Sequence, residues 1–527
     1  MSAPRRAAPP RGRSARRMGK VSAHRPFIRL DPRAPEALQT QIYAAIRQAI
    51  LDGALPPGAP VLSSRALAAE LGVSRTTTLL ALEQLMAEGY LETRARSGTF
   101  VARDLPDDRP RARATPPRTR PRHPAISRRG ALLASVPPSA VRIPGPPCAF
   151  RIGIPAVDLF PMRLWTQLVH RRVRALTVPQ LDYSHAAGFQ PLREAIADHV
   201  HAARGTRCDP DQIFIVGGAQ RGLDLIFRLL LDPGDRAWLE EPGYFGARSA
   251  LLGAGARVQP ARVDAQGVDV SVVERDRRGA RLIYVTPSNQ FPLGVPMSLP
   301  RRYALLRWAS AAHAWIVEDD YDSEFRYGTR PLPCLHGLDV DGRVIYVGSF
   351  SKTLFPALRL GFLIVPPDLR ETLIAVRRSG DVHPPVLEQA ALADLMHGGH
   401  YERHLRRMRA AYHERLQALE AAAVRCCGDA LRLRPVLSGL HAVADVKADA
   451  ERVFEEALAR GVETMPLSAY CGVRAQAPNG LVLGFAPVRP EMAVLGMERL
   501  AAAIEAARRR RGRRAGTASD APATARG

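Results

Sequence analysis

Lysine is nearly absent from this chain. Of its 75 basic residues only Lys20, Lys352 and Lys447 are lysines, and the rest are arginines. A guanidinium does not give up its proton, whereas an amine can become neutral and form a Schiff base with an aldehyde. A lysine kept beside an apolar run is therefore a candidate covalent anchor. No uninterrupted apolar stretch approaches the roughly 20 residues that a membrane span requires, so no membrane partner is expected. The basic start lacks the apolar centre of a secretory signal. Six cysteines show no metal-ligand spacing, which argues against a metal site, and thiols scattered through 527 residues fit a reducing cytoplasm.

The chain carries a formal net charge of +24, and three segments hold +20 of it: residues 1–25, 104–148 and 508–527. The two ends read as basic disordered tails and 104–148, rich in proline and arginine, as a linker. The remainder is close to neutral. Basic tails raise non-specific affinity for nucleic acid in a salt-dependent way.

Between the first tail and the linker, 26–103 has the pattern of a small DNA-binding head. Leu38, Ile42, Ala45, Ile46 and Ala49 recur at helical spacing up to Gly53. Ser63 or Ser64 can cap a second helix ended by Gly72, and Val73-Ser74 opens a third with Thr78, Leu82 and Leu85 on one face. Gly89 to Val101 reads as a two-stranded wing. Helix, turn, helix and hairpin make a winged helix-turn-helix for double-stranded DNA. Ser74, Arg75, Thr76 and Thr77 stand at the amino end of the third helix, toward the major groove. Arg65, Gly98 and Thr99 are placed for phosphates or the minor groove.

From 149 to 507 the pattern alternates helices and strands. Three strand ends carry chemistry. Val344-Ile345-Tyr346-Val347 runs into Ser349-Phe350-Ser351-Lys352, and Trp315-Ile316-Val317 runs into Glu318-Asp319-Asp320-Tyr321. Ile213-Phe214-Ile215-Val216 ends in Gly217-Gly218-Ala219-Gln220 before an amphipathic helix from about Arg221 to Leu231. An amine, a carboxylate and a helix N-terminus at the carboxyl ends of a sheet suit a ligand with an aldehyde, a ring nitrogen and a phosphate. Pyridoxal phosphate has all three.

Ser349-Phe350-Ser351-Lys352 with Arg359, Glu318 to Phe325, Thr286-Pro287-Ser288-Asn289-Gln290-Phe291-Pro292 and Glu241-Pro242-Gly243-Tyr244 resemble fold-type I aminotransferases. Ser63 to Ala68 with Gly72 to Thr77 is similar to GntR-type heads, Leu62 and Leu82 being departures from that pattern. Together they resemble the MocR-type regulators. The resemblance implies an α/β chain: a winged helix-turn-helix, then a large domain with a mixed, mostly parallel sheet and a small α+β domain. It implies a Lys352 aldimine, Asp319 at the pyridine nitrogen, Tyr321 at the phenolic oxygen and Tyr244 stacked on the ring. Gly218, Ala219, Gln220, Ser349 and Arg359 would take the phosphate. Tyr183 would reach the phosphate of a second subunit in a head-to-tail homodimer.

Two positions depart from the catalytic members of that fold. Phe291 replaces an asparagine that donates to the phenolic oxygen, with Asn289 the substitute. The arginine that binds a substrate carboxylate falls at Val482, and Arg489 is offset from it. The expected function is a cytoplasmic regulator that senses the cofactor, an amine or an amino acid; the alternative is an aminotransferase with an added DNA-binding head.

Overall fold

The computed structural model describes residues 28–94, 97–106, 126–136, 149–276, 279–328, 332–474 and 477–517. The expected tail at 1–25 and most of the expected linker lie outside them. The chain divides into two compact units, Met1–Pro124 and Ala125–Gly527.

In the first unit, α1 (Leu38–Leu51) buries Ile42, Ile46 and Ile50, a single i, i+4, i+8 stripe. Strand β1 is Pro60–Val61, and α2 (Ser64–Leu71) follows, capped by Ser63 Oγ, which accepts from Ala66 N at 3.3 Å. Gly72 ends α2 in the left-handed region at φ 67°, where a side chain would be strained. Next comes α3 (Arg75–Ala87), which turns Thr78, Ala81, Leu82 and Leu85 inward. Thr78 Oγ1 donates to Ser64 O at 2.9 Å and so ties α3 to the start of α2. Strands β2 (Leu91–Arg94) and β3 (Gly98–Val101) form the wing, and β1 adds a third strand antiparallel to β3. Two residues are too few to announce β1 by periodicity.

The second unit is built on an eight-stranded sheet. Its strands are β4 (Ile213–Val216), β5 (Arg236–Glu241), β6 (Arg257–Asp264), β7 (Gly267–Val268), β8 (Leu282–Val285), β9 (Trp315–Asp320), β10 (Val344–Ser349) and β11 (Gly361–Ile364). The order is β4-β11-β10-β9-β8-β5-β6-β7. Pairs from β10 to β6 are parallel, while β11 is antiparallel to both its neighbours and β7 to β6. The mixed, mostly parallel sheet is thus as expected. Every residue of β4, β8 and β11 is buried, which explains their unbroken apolar runs. Helices Ala219–Leu230 and Phe245–Ala254 cover one face and Leu299–Ala311 the other.

A second, antiparallel sheet, β12 (Leu431–Leu433), β13 (His441–Val446), β14 (Met465–Pro466) and β15 (Gly480–Gly484), has the order β12-β13-β15-β14. It packs with helices His400–Cys427, Ala450–Ala459 and Pro490–Thr517 as the smaller C-terminal part.

Two segments differ from expectation. Within 104–148 lies a helix, Arg128–Ser135, with Ser127 Oγ as its cap and Leu133 lying over Gly253. The last helix runs to Thr517, ten residues past the expected boundary at 507. Its alanine and arginine content favours helix strongly enough to carry the backbone into a charged run read as a tail. Residues 518–527 lie outside the described part. Among the described residues no helix is long and apolar enough to cross a membrane.

Leu85 is fully buried between α1 and the wing. Leu85→Ala should cost the head about 2–5 kcal/mol. Differential scanning calorimetry of the full chain should then show an earlier transition for this unit, with the second unit's transition unmoved.

Candidate functional site

Strand β9 ends in three consecutive buried carboxylates, and strand alternation turns Asp319 to one face and its neighbours to the other. Glu318 accepts from Leu335 N at 2.9 Å and His336 N at 2.8 Å. Asp320 accepts from Arg204 Nε and Tyr346 Oη, both at 2.7 Å. Asp319 Oδ2 accepts from Tyr284 Oη at 2.7 Å, but its Oδ1 is buried with no hydrogen-bond partner. Burial pushes the Asp319 carboxyl up to about 7.

Parallel pairing of β10 with β9 sets Val347 against Asp319 and Gly348 against Asp320. Lys352, three residues past the end of β10, therefore leaves the sheet at the same edge. Its Nζ donates to Gly153 O at 2.6 Å. Burial lowers the Lys352 pKa, and the Asp322 and Asp319 charges oppose that shift. An amine so placed loses its proton more readily than a surface lysine.

Gly218, at φ 90°, caps helix Ala219–Leu230, whose first amides have no intrahelical acceptor. Arg359 Nη2 donates to Gly217 O at 2.9 Å, and a Cβ on Gly218 would stand 3.1 Å from that same Nη2. The positive φ favours glycine at this position, and a Cβ there would press on the guanidinium beside the helix start. Ser349 Oγ accepts from Ser351 N at 3.2 Å.

Lys352, Asp319, Tyr321, Tyr244, Ala219, Gln220, Ser349 and Arg359, all singled out in the sequence, line one cavity of about 310 Å³. Gly218 lies behind as the cap. Asn289 is one layer back, its Nδ2 donating to Tyr321 Oη at 3.1 Å and to Asp322 Oδ1 at 2.9 Å. The Gln220 side chain is already engaged, donating to Gly246 O at 2.9 Å and accepting from Tyr244 Oη at 3.3 Å. Tyr183 is 83% exposed and is not on the cavity wall of its own chain.

Sequence reasoning missed several wall residues. Tyr284 sits inside an apolar strand, Asp322 in a run of acids, and Arg151, His441, Glu463 and Thr464 in no motif. Phe291 takes ring-edge contacts from Tyr244, Tyr321, His441 and Tyr470 at centroid distances of 5.2–5.9 Å. Val482 is buried in an apolar cluster with Phe245, Val443, Leu467 and Tyr470. Arg489 Nε lies 3.3 Å from Asp158 Oδ2. Neither Val482 nor Arg489 brings a guanidinium to the wall. Among the described residues no group of His, Cys, Asp and Glu is arranged to hold a metal.

In the head, Arg65, Arg75 and Thr76 are exposed and Thr77 is half-buried. Ser74 Oγ is spent on the α3 cap, accepting from Thr77 N at 3.1 Å. Gly98 is exposed at φ 109°, and Thr99 pairs with both Thr93 and Val61.

Comparison with known proteins agrees with both units. Residues 38–101 match the gntR family of bacterial regulatory proteins, and 167–470 match aminotransferase class I and II. The probable rhizopine catabolism regulatory protein MocR of Rhizobium meliloti is 40% identical over 477 residues, 90% of this chain and 95% of that protein. This chain belongs to the MocR-type subfamily of GntR transcriptional regulators. The pyridoxine biosynthesis transcriptional regulator PdxR of Corynebacterium glutamicum, at 33% identity over 87% of this chain and 94% of its own, is a second such relative of this MocR-type chain. Among solved structures, the α-aminoadipate aminotransferase LysN of Thermus thermophilus superposes with a TM-score of 0.63 at 30% identity, covering 69% of this chain and 93% of that one. The MocR-type chain thus joins a DNA-binding head to an aminotransferase fold, and that fold implies dependence on pyridoxal phosphate.

The raised carboxyl of Asp319 has a consequence for stability. A folded value of about 7 against an ordinary 3.8 means the folded state holds a proton the unfolded state has released. That contribution is full below about pH 4 and is lost as pH rises toward 7. In cofactor-free protein, Asp319→Asn should therefore flatten the fall in melting temperature between about pH 4 and 7, a slope readable by fluorimetry.

Proposed function

We propose that this regulator binds pyridoxal phosphate at Lys352 and works in the cytoplasm as a dimer whose DNA affinity follows what occupies the cavity. The observation that carries the reading is Asp319 Oδ1, a buried acceptor without a donor, on the same wall as a burial-weakened lysine and a glycine-capped helix N-terminus. These residues fit the cofactor. Asp319 would hold the ring nitrogen, and the amides of Ala219 and Gln220 with Ser349 and Arg359 would hold the phosphate. Tyr244 would lie against the ring, and Asn289 would orient the hydroxyl of Tyr321 toward the phenolic oxygen. When bound, the cofactor supplies an aldehyde carbon that takes up primary amines.

The protein's part is to hold protons and exclude water. Tyr284 fixes one oxygen of Asp319 and leaves the other for the ring. Lys352 offers its amine in a setting where burial eases the loss of its proton. A ligand shifts the dimer's conformations only by its differential affinity for them. Dimerisation is supported by Val178, Leu181 and Tyr183, large side chains 72–83% exposed on one short segment. Arg75 and Thr76 at the open end of α3 are the candidate base readers, with Arg65 and Gly98 beside them for the backbone.

Two measurements test this. Borohydride treatment followed by mass spectrometry should fix the cofactor on Lys352 in wild type and nowhere in Lys352→Ala. Gel-shift titration of the adjacent intergenic DNA should give different affinities with and without pyridoxal phosphate, and superimposable curves would sink the sensing role. In the same assay Arg75→Ala should cost about 1–3 kcal/mol of specific binding.

A further inference from the structure

Resting on that reading, we infer that the ligand end of the cavity takes a primary amine bearing a hydroxyl, an amino alcohol, in preference to an α-amino acid. Binding a carboxylate calls for an uncommitted cation, and the wall provides none among its described residues. Lys352 and Arg359 belong to the cofactor end. The third cation, Arg151, donates Nε to Glu463 Oε2 at 2.7 Å, and both side chains are largely buried. Turning Arg151 toward a ligand carboxylate would leave Glu463 charged and unpaired in a water-poor wall. His441, also on the wall, donates Nε2–H to Pro292 O at 3.0 Å and is kept neutral, its pKa pushed down to about 4 by burial. At the position where catalytic relatives of this fold bind a carboxylate stands Val482, sealed among apolar side chains.

The wall offers a hydroxyl group instead. Thr464 is buried, lines the cavity, and its Oγ1 has no hydrogen-bond partner. A buried hydroxyl left unpaired is unfavourable, so a ligand hydroxyl that pairs with it gains from the relief. Beside it, Glu463 is matched by Arg151 and burial raises the Asp322 carboxyl to about 8, so this part of the wall has no spare positive charge for an anion. The unpaired hydroxyl and the committed cations point the same way.

The test uses the holo-protein and matched pairs, ethanolamine against glycine and serinol against L-serine, followed by calorimetry and by the visible absorbance of the cofactor. Each alcohol should bind about tenfold more tightly than its acid. Thr464→Val keeps the shape of the wall and should weaken the alcohols by about three- to tenfold while leaving the acids unmoved. Glu463→Gln should release Arg151 and turn the preference toward the acids. Acids that bind wild type as tightly as the alcohols would overturn the inference, as would failure of both classes to bind protein whose cofactor is fixed at Lys352. Absence of cofactor at Lys352 would overturn the underlying reading and this inference with it.

Discussion

Three carboxylates in a row, buried at the end of a central strand, are the constraint around which the second unit is arranged. Taking such charges out of water is unfavourable unless each finds donors or protons. Glu318 is met by two backbone amides at the start of the helix Leu335–Leu338. Asp320 is met by Arg204, which also pairs with Glu324 at 2.9 Å, and by Tyr346 on the neighbouring strand. Asp319, on the opposite face, is met on one side only. Its second oxygen, buried without a donor, is what sets this sheet edge apart as the candidate site.

Much of this was legible in the sequence because the signals are local. A lysine in an arginine-rich chain, an acidic strand end and a glycine pair before a helix each announce themselves within a few residues, and parallel pairing gathers them at one edge. The head was legible for the same reason: capping serines, closing glycines and the Ile42, Ile46, Ile50 stripe sit at short spacing. What escaped depends on long-range packing. Tyr284 looks like any strand residue until β8 is seen beside β9, and Glu463 meets Arg151 across more than three hundred residues. The terminal helix beyond 507 is masked by its charge, since an arginine run looks like a tail while its alanines and arginines favour helix.

The departures from catalytic relatives make physical sense together. Phe291 fills the space between four rings, so the wall is held by aromatic packing where a polar donor is otherwise used. Asn289 restores the polar contact from behind through Tyr321. Val482 closes the far end with apolar surface. The cavity thus combines the buried lysine, carboxylate and helix N-terminus with an apolar far end.

The contact between Lys352 Nζ and Gly153 O reaches further than the cavity. Residues 149–153 are stitched to the small sheet: Ala149 O accepts from Glu463 N at 3.0 Å and Phe150 O from Gly484 N at 2.8 Å. When the amine is claimed elsewhere, the carbonyl of Gly153 loses a fastening, and the segment that runs from the cavity wall to the small sheet is held by one stitch fewer.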